Sequence, residues 1–462
     1  FIEADMAAVV AGAVRVLDTI GVQCTSPVVR DRLLRVAGVR ANKDRLYLAP
    51  SLGTALLAEF REPATGNVLP PAPAEPGFRL AGPWCALLRA DGLTGQVAPA
   101  TTVQVAEAIR LLEGLNVTVG VAPLEAAADT PPALRNLAGL RAVLLHSKAG
   151  ANLTNLPAPN QREAVAAMSA AAGRTASAFL VPLISPLKFE CTALEALLSL
   201  PAKPGFHLHL AAGMPAVGST APLDVPGALM QSLAETLAVQ ACAKAFDRPY
   251  SLAPVRIDPF DLRYANYVVG SPEFGLFDMA SRALHLHLSG QLPERGAFRS
   301  MAKQPDAQAQ HERSTNLLFQ ALQGARRISA VGQLSLDEVF SPEQAVLDVE
   351  IARSVERFVL GVPWNTAAEG SIDTAVGYIA RGVTEGQYLD APETLNRYRA
   401  AFHHSTLFRY ENVQTWERRG SIPVLSAAAE RAKQVVAETP ACRLTPDAAR
   451  DIDRIFTRAA QA

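Results

Sequence analysis

The sequence predicts an α/β protein built on a TIM (β/α)8 barrel, with additional helical segments at its N-terminal and C-terminal ends. Three observations predict it. Short continuous apolar segments alternate with helical ones along the middle of the chain, the pattern of parallel strands covered on both faces. An open doubly wound sheet usually carries a Gly-rich phosphate loop, and the sequence holds neither GxGxxG nor GxxxxGK[ST]. With 462 residues, 49% hydrophobic and 19% charged, the chain is long enough for a barrel with a large core.

Residues 5 to 60 read as helical, with Leu33, Leu34 and Val36 followed by a short Leu46-Tyr-Leu segment. The run Asn67 to Gly77 carries Pro70, Pro71, Pro73 and Pro76 and reads as a linker. The expected division is therefore a helical segment over 1–75, the barrel over 76–380 and a helical extension over 381–462. Thr101-Thr-Val-Gln-Val-Ala-Glu places hydroxyls before an amphipathic run and marks a helix start. Candidate strands follow at Val117–Val121, Ala142–His146, Ala178–Ile184, His207–Ala211 and Tyr250–Val255, with weaker ones at Ala297–Met301 and Ile328–Val331. Helices are expected between them, among them Thr192–Leu200, Gly227–Lys244 and Ala307–Gln323. One strand of the eight is left unassigned. The charged stretch from Arg381 to Arg419 and the segment Ala427–Gln461 read as helices outside the barrel, available for self-association into a homo-oligomer.

Composition removes several function classes. A net charge of −1 argues against a nucleic-acid partner, which needs a basic face. No window reaches the ~18 uninterrupted apolar residues of a membrane span. The opening Phe1-Ile-Glu-Ala-Asp lacks the basic and apolar regions of a signal peptide. Five scattered cysteines with no CxxC pair fit a reducing compartment, and cytoplasm is the expected location.

Polar residues gather after the candidate strands, where a barrel places its site. They include Ser185-Pro-Leu-Lys-Phe-Glu190, His207-Leu-His209, Arg256, Asp258, Asp261, Tyr264, Lys303, Asp306, Gln308, Glu312, Gln333 and Phe340. The segment Gly218-Ser-Thr-Ala-Pro-Leu-Asp-Val-Pro-Gly reads as a small-residue loop opening a helix, with Pro222 and Pro226 confined to the loop or first turn. Gly218, Ser219 and Thr220 can lie flat against a ligand there. His207 and His209 share one face of a strand, which suits a metal-dependent barrel hydrolase. Further ligands at recognisable spacing are missing, His285-x-His287 falls in a helix, and no bound metal is expected. SxxK occurs at Ser185 and Ser300 without its partner motifs, and neither GxSxG nor HExxH is present.

Several of these segments, in order, resemble the trimethylamine methyltransferase superfamily. The Gly218 loop resembles its G-[AS]-T-A-P-x-x-x-x-G-A-L segment, and Ser185-Pro-Leu its S-P-L strand end. Gly270-Ser-Pro-Glu273 is similar to its G-S-P-E. Lys303-Gln-Pro-Asp-Ala-Gln-Ala-Gln-His-Glu312 is similar to its K-x-x-D-x-Q-A-x-x-E, and Ser341-Pro-Glu-Gln-Ala-Val-Leu-Asp-Val-Glu350 to its S-x-E-Q-x-V-x-D-x-E. These motifs cover residues 185 to 350.

The resemblance implies a barrel enzyme that moves a methyl group from a small methylated amine to a corrinoid (cobalamin) carried by a separate partner protein, with no cofactor tightly bound to this chain. It implies a site in which Asp306, Gln308 and Glu312 are catalytic. Gly218, Ser219, Thr220, His209, Arg256, Tyr264, Gln333 and Phe340 would then bind substrate. Pyrrolysine-bearing members place that residue just before K-x-x-D-x-Q; here Ala297-Phe-Arg-Ser-Met301 stands there, which implies a betaine-like quaternary amine. Such a cation has no hydrogen-bond donor, so aromatic faces must hold it, with Phe260, Tyr264, Tyr267, Phe298 and Phe340 as candidates. A carboxylate on it would take Arg256 or the Gly218 loop N–H groups. The chain has no D-x-H-x-x-G corrinoid motif, and Ala391-Pro-Glu-Thr replaces a basic, His-containing run. A ligand-binding paralogue without turnover is the other reading.

Overall fold

A computed structural model describes residues 3–61, 77–201, 204–210, 213–248, 255–362 and 370–461. The chain is a mixed α/β protein whose described strands fall into five small sheets, with no single closed sheet among the described residues. Parallel pairing dominates the middle of the chain. Arg295–Ala297 pairs with Arg327–Ser329, which pairs with Arg79–Leu80. Ala81 bridges Thr118, the Asn152 N–H donates to the Gly120 carbonyl at 2.9 Å, and Asn152 bridges Ser177. Ala176–Leu180 then pairs in register with Phe206–Leu210, Ala176 opposite Phe206. Seven backbone segments thus stand side by side in series. The candidate strand Tyr250–Val255, which falls between Phe206–Leu210 and Arg295–Ala297 in the sequence, lies outside the described residues except for Val255.

Burial alternates along these strands as period two requires. Ala176, Ala178 and Leu180 are buried, as are Phe206, Leu208 and Leu210, all in one apolar cluster. Ile328, Val117 and Val119 enter a second cluster that reaches the helix Thr102–Gly114. The opposite face carries Ser177, Phe179, His207 and His209. That helix starts at Thr101 with a reciprocal capping box to Gln104, where the hydroxyls predicted it.

Val225–Ala245 is buried on nearly every side, because the helix Glu3–Thr19 covers the flank that would otherwise meet water. Gly12 of that covering helix faces Met230 so closely that a Cβ would collide with the thioether. The N-terminal segment is joined further by Gln23, paired parallel with Lys188. At the other end, Arg110 donates to the carbonyls of Val436 (2.5 Å) and Thr439 (2.7 Å), pinning the helix Val424–Glu438. Among the described residues, no helix is long and apolar enough to cross a membrane.

Several expectations need correction. Ala142–His146 is not a strand but the end of the helix Arg135–His146, with Leu137, Leu140, Val143 and Leu144 buried at helical spacing. A short apolar run cannot be told from a buried helix by periodicity alone. The strand position in the series is filled by residues around Asn152 instead. The unassigned strand is Arg79–Leu80, just after the Pro-rich run, of which residues 67–76 lie outside the described residues. Other strands are shorter or shifted: Ala178–Ile184 becomes Ala176–Leu180 and Leu183–Ile184, and Ala297–Met301 becomes Arg295–Ala297.

Candidate functional site

The strand face left out of the apolar cores carries aromatic and imidazole side chains. Near the C-terminal ends of their strands, Phe179 and His209 stack with centroids 5.1 Å apart and planes at 28°. Trp84, after Arg79–Leu80, meets Phe179 edge-on at 4.7 Å. Trp84 is 40% exposed, so this aromatic group is open to solvent. Burial, helped by His207 and Arg295, holds the His209 imidazole below the usual histidine pKa, hence neutral at pH 7. The Gln333 side chain, 2% exposed, donates to the Trp84 carbonyl at 3.3 Å. Trp84 and Phe179 went unnoticed in the sequence, since nothing local marks an aromatic residue as facing away from a core.

The Gly218 loop is tied to the Ser185 segment from beneath. Glu235, fully buried, accepts from the Ser185 hydroxyl (2.7 Å), the Leu187 N–H (3.0 Å) and Gln231 Nε2 (3.0 Å). Gln231 also donates to the Thr220 carbonyl at 2.7 Å. Desolvation pushes the Glu235 carboxyl pKa up. The loop itself differs from expectation. The N–H groups of Ser219, Thr220 and Ala221 all donate to the Ala216 carbonyl, and that of Gly218 to Ala221. These amides are consumed by the turn and are not left for a ligand carboxylate.

Gln308 and Glu312 lie on one face of the helix Ala307–Leu322 and line a cleft of about 780 Å³ with Phe260, Tyr264, Tyr267 and Lys303. Phe260 and Tyr267 meet edge-on at 5.9 Å. Glu312 accepts from Gln308 Nε2 (2.8 Å), the Ser300 hydroxyl (2.7 Å) and the Met301 N–H (2.8 Å). Gly270 is needed beside it, since a Cβ there would collide with the Glu312 carboxylate. Asp306 does not join them. Its carboxylate caps the helix by accepting from the Ala309 N–H at 3.0 Å, and it borders a separate apolar cavity with Phe358, Phe408 and Leu425.

Arg256 also stands apart from the cleft. It donates through Nε (3.0 Å) and Nη2 (2.6 Å) to Asp258, lies 5.4 Å over Phe274, and lines a cavity of about 330 Å³ with Arg282, Arg295 and Arg299. Phe298 and Phe340 are corrected as cage candidates. They are 1% and 0% exposed in the second apolar cluster, and the face of Phe298 is taken by Arg313. His207 and His209 do share one strand face, but among the described residues no three His, Cys, Asp or Glu side chains gather to hold a metal.

A family model described as trimethylamine methyltransferase (MTTB) matches residues 1–462. The trimethylamine methyltransferase MttB of Methanosarcina barkeri (strain Fusaro) is 29% identical over 208 residues, 44% of this chain and 40% of that protein. That of Methanosarcina thermophila is 32% identical over 183 residues, 39% and 37% of the two chains. A bacterial relative, the trimethylamine methyltransferase MttB of Desulfitobacterium hafniense, is 29% identical over 184 residues, 38% and 36%. The chain spans about two fifths of the length of these relatives in alignment.

Proposed function

The chain belongs to the trimethylamine methyltransferase family, and from that membership we propose that it removes a methyl group from a small quaternary amine. The acceptor in this reading is a corrinoid on a separate protein, which supplies the reduced metal centre that takes the methyl group. The observation that carries the reading is the family match along the whole chain. The open aromatic group Trp84–Phe179–His209 suits such a substrate.

The work of this chain is to bind, orient and desolvate. A quaternary ammonium carries no donor, so it is held by ring faces, each worth about 0.5–2 kcal/mol. A neutral His209 adds a ring without adding a repelling charge. The exposure of Trp84 leaves one side of the group accessible to a macromolecular partner, as transfer to another protein requires. Gln308 and Glu312 form a polar wall in the cleft of about 780 Å³, and we assign them to orienting the substrate.

We read the seven-segment parallel series as part of a (β/α)8 barrel. A betaine-like substrate, a cytoplasmic setting and a homo-oligomer belong to the same reading. Self-association is supported by the helix Ser371–Glu385, where Ile372, Val376, Ile379 and Val383 form an exposed apolar stripe.

A thermal-shift panel tests ligand choice. Trimethylglycine at about 100 times its Kd is expected to add ~2.7 kcal/mol of stability, and Phe179→Ala to remove most of the effect. A panel in which no methylated amine raises the melting temperature would sink the reading.

A further inference from the structure

We infer that Cys24 and Cys191 are a peroxide-oxidisable pair, whose disulfide fastens the N-terminal segment to the Ser185 segment. The five cysteines are scattered in the sequence, but three of them meet in the fold. The parallel pairing of Gln23 with Lys188, with the Gln23 N–H donating to the Leu187 carbonyl at 2.8 Å, brings two distant stretches together. Cys24 directly follows one, and Cys191 opens the helix Cys191–Leu198 just beyond the other. The Cys24 and Cys191 thiols are in hydrogen-bond contact, and the Thr25 hydroxyl donates to Cys191 Sγ at 3.5 Å. Cys242, on the helix Val225–Ala245, is close enough to interact electrostatically with both. All three are free thiols.

The sulfurs are not equivalent. Cys24 is 2% exposed, and its Sγ donates to the Ser26 carbonyl at 3.6 Å. Burial, with the Cys191 sulfur beside it, pushes the Cys24 thiol up to about 12, so it stays protonated at neutral pH. Cys242 is fully buried in the first apolar cluster, where a thiol serves as a small apolar side chain. Cys191 is partly exposed at the edge of that cluster, and of these three it is the one open to solvent. Cys191 is therefore the sulfur that meets an oxidant, and Cys24 is the thiol placed to trap the product.

The oxidant is hydrogen peroxide. The Cys191 thiolate attacks one peroxide oxygen, so that an S–O bond forms, the O–O bond breaks, and the departing hydroxide takes up a proton as water. Cys24 then attacks the resulting sulfenic acid. The S–S bond forms, the S–OH bond breaks, and hydroxide leaves with the Cys24 proton as a second water. Two thiols are thus oxidised to one disulfide while one peroxide is reduced to two waters. Thr25, next to Cys24, stands 166 positions before Cys191, so the bond closes a long loop of the unfolded chain, the case in which a cross-link stabilises most. The bond also anchors the Ser185 segment, which Glu235 joins to the Gly218 loop.

This property is independent of the ligand the chain takes, and it is tested without one. The full chain carrying Cys442→Ser, which removes the exposed thiol, is reduced, treated with hydrogen peroxide and alkylated. The intact mass before alkylation is expected to fall by about 2 Da, and peptide mapping to recover Cys24 joined to Cys191. The oxidised chain is expected to melt roughly 5 °C higher than the reduced one, and dithiothreitol to reverse both changes. A further Cys242→Ala change should leave the cross-link in place. A further Cys24→Ala change should stop the reaction at a Cys191 sulfenic acid that dimedone captures. Recovery of Cys24 and Cys191 as separate peptides after peroxide, or of Cys24 joined to Cys242 instead, would overturn the proposal. That mapping needs only the natural Cys24, Cys191 and Cys242, so it decides the matter even if the alanine variants fold poorly.

Discussion

Glu235 shows how much a single buried group decides at the residue scale. It joins the Ser185 segment to the Gly218 loop, and removing it leaves the Leu187 N–H and the Gln231 amide without their shared acceptor. Glu235→Ala is therefore expected to cost about 2–3 kcal/mol, read as a lower denaturant midpoint. Its folded pKa is raised above the ordinary 4.5, so its contribution is fully present below that pH and is lost as pH climbs through the raised value. Urea melts of the parent and Glu235→Gln should diverge with rising pH, the variant gaining relative stability. A gap independent of pH between 4 and 8 (about the range that spans the transition) would contradict this.

Gln308→Ala is expected to weaken ligand binding at nearly constant melting temperature, because Gln308 is exposed and, among the described residues, holds only Glu312. Glu312→Ala should also lose about 1–2 kcal/mol of stability, since it frees the Met301 N–H and Ser300. Calorimetric titration with trimethylglycine and a melt on each variant check both. The Gln308–Glu312 pairing was readable from four-residue helical spacing. Asp306 was equally readable as a cap, and capping is what its geometry shows. Glu235 was not legible, because its partners Ser185 and Leu187 lie some fifty residues away and only the fold brings them near.

Between elements, the segment from Ser341 acts as a clamp. Ser341 caps its helix by accepting from the Gln344 N–H, and Gln344 and Arg313 converge on Asp348, which also accepts from the Gly332 N–H at 2.6 Å. Arg313 further donates to the carbonyls of Gln333 and Ala330. The pair Arg313–Asp348 thus locks two helices to the turn that carries Gln333. Arg313→Ala is expected to cost about 3–5 kcal/mol by stranding a buried carboxylate, and Arg313→Met with Asp348→Leu to recover much of it. Equal losses in the single and double variants, by chemical denaturation, would show that the charge pair is not the cause. Helix starts were legible wherever a capping residue preceded an apolar run, as at Thr101 and Asp306. Ala142–His146 was not, because a fully apolar segment fits a buried helix and a buried strand alike.

Across the whole molecule, the order of parallel segments follows the alternation in the sequence, and the missed strand Arg79–Leu80 was hidden by its brevity and the prolines before it. The apolar stripe on Ser371–Glu385 predicts assembly: Ile379→Glu with Val383→Glu should lower the mass measured by light scattering to that of one chain. An unchanged oligomer, or a parent already monomeric, would refute that surface. The central claim is methyl transfer, and the most direct measurement incubates the chain with trimethylglycine and chemically reduced cobalamin and follows the cobalt absorbance. The account predicts stoichiometric formation of dimethylglycine and methylated cobalamin at a rate that Phe179→Ala reduces. Binding of trimethylglycine with no methyl transferred to reduced cobalamin or to any corrinoid protein would contradict it and leave a ligand-binding protein in its place.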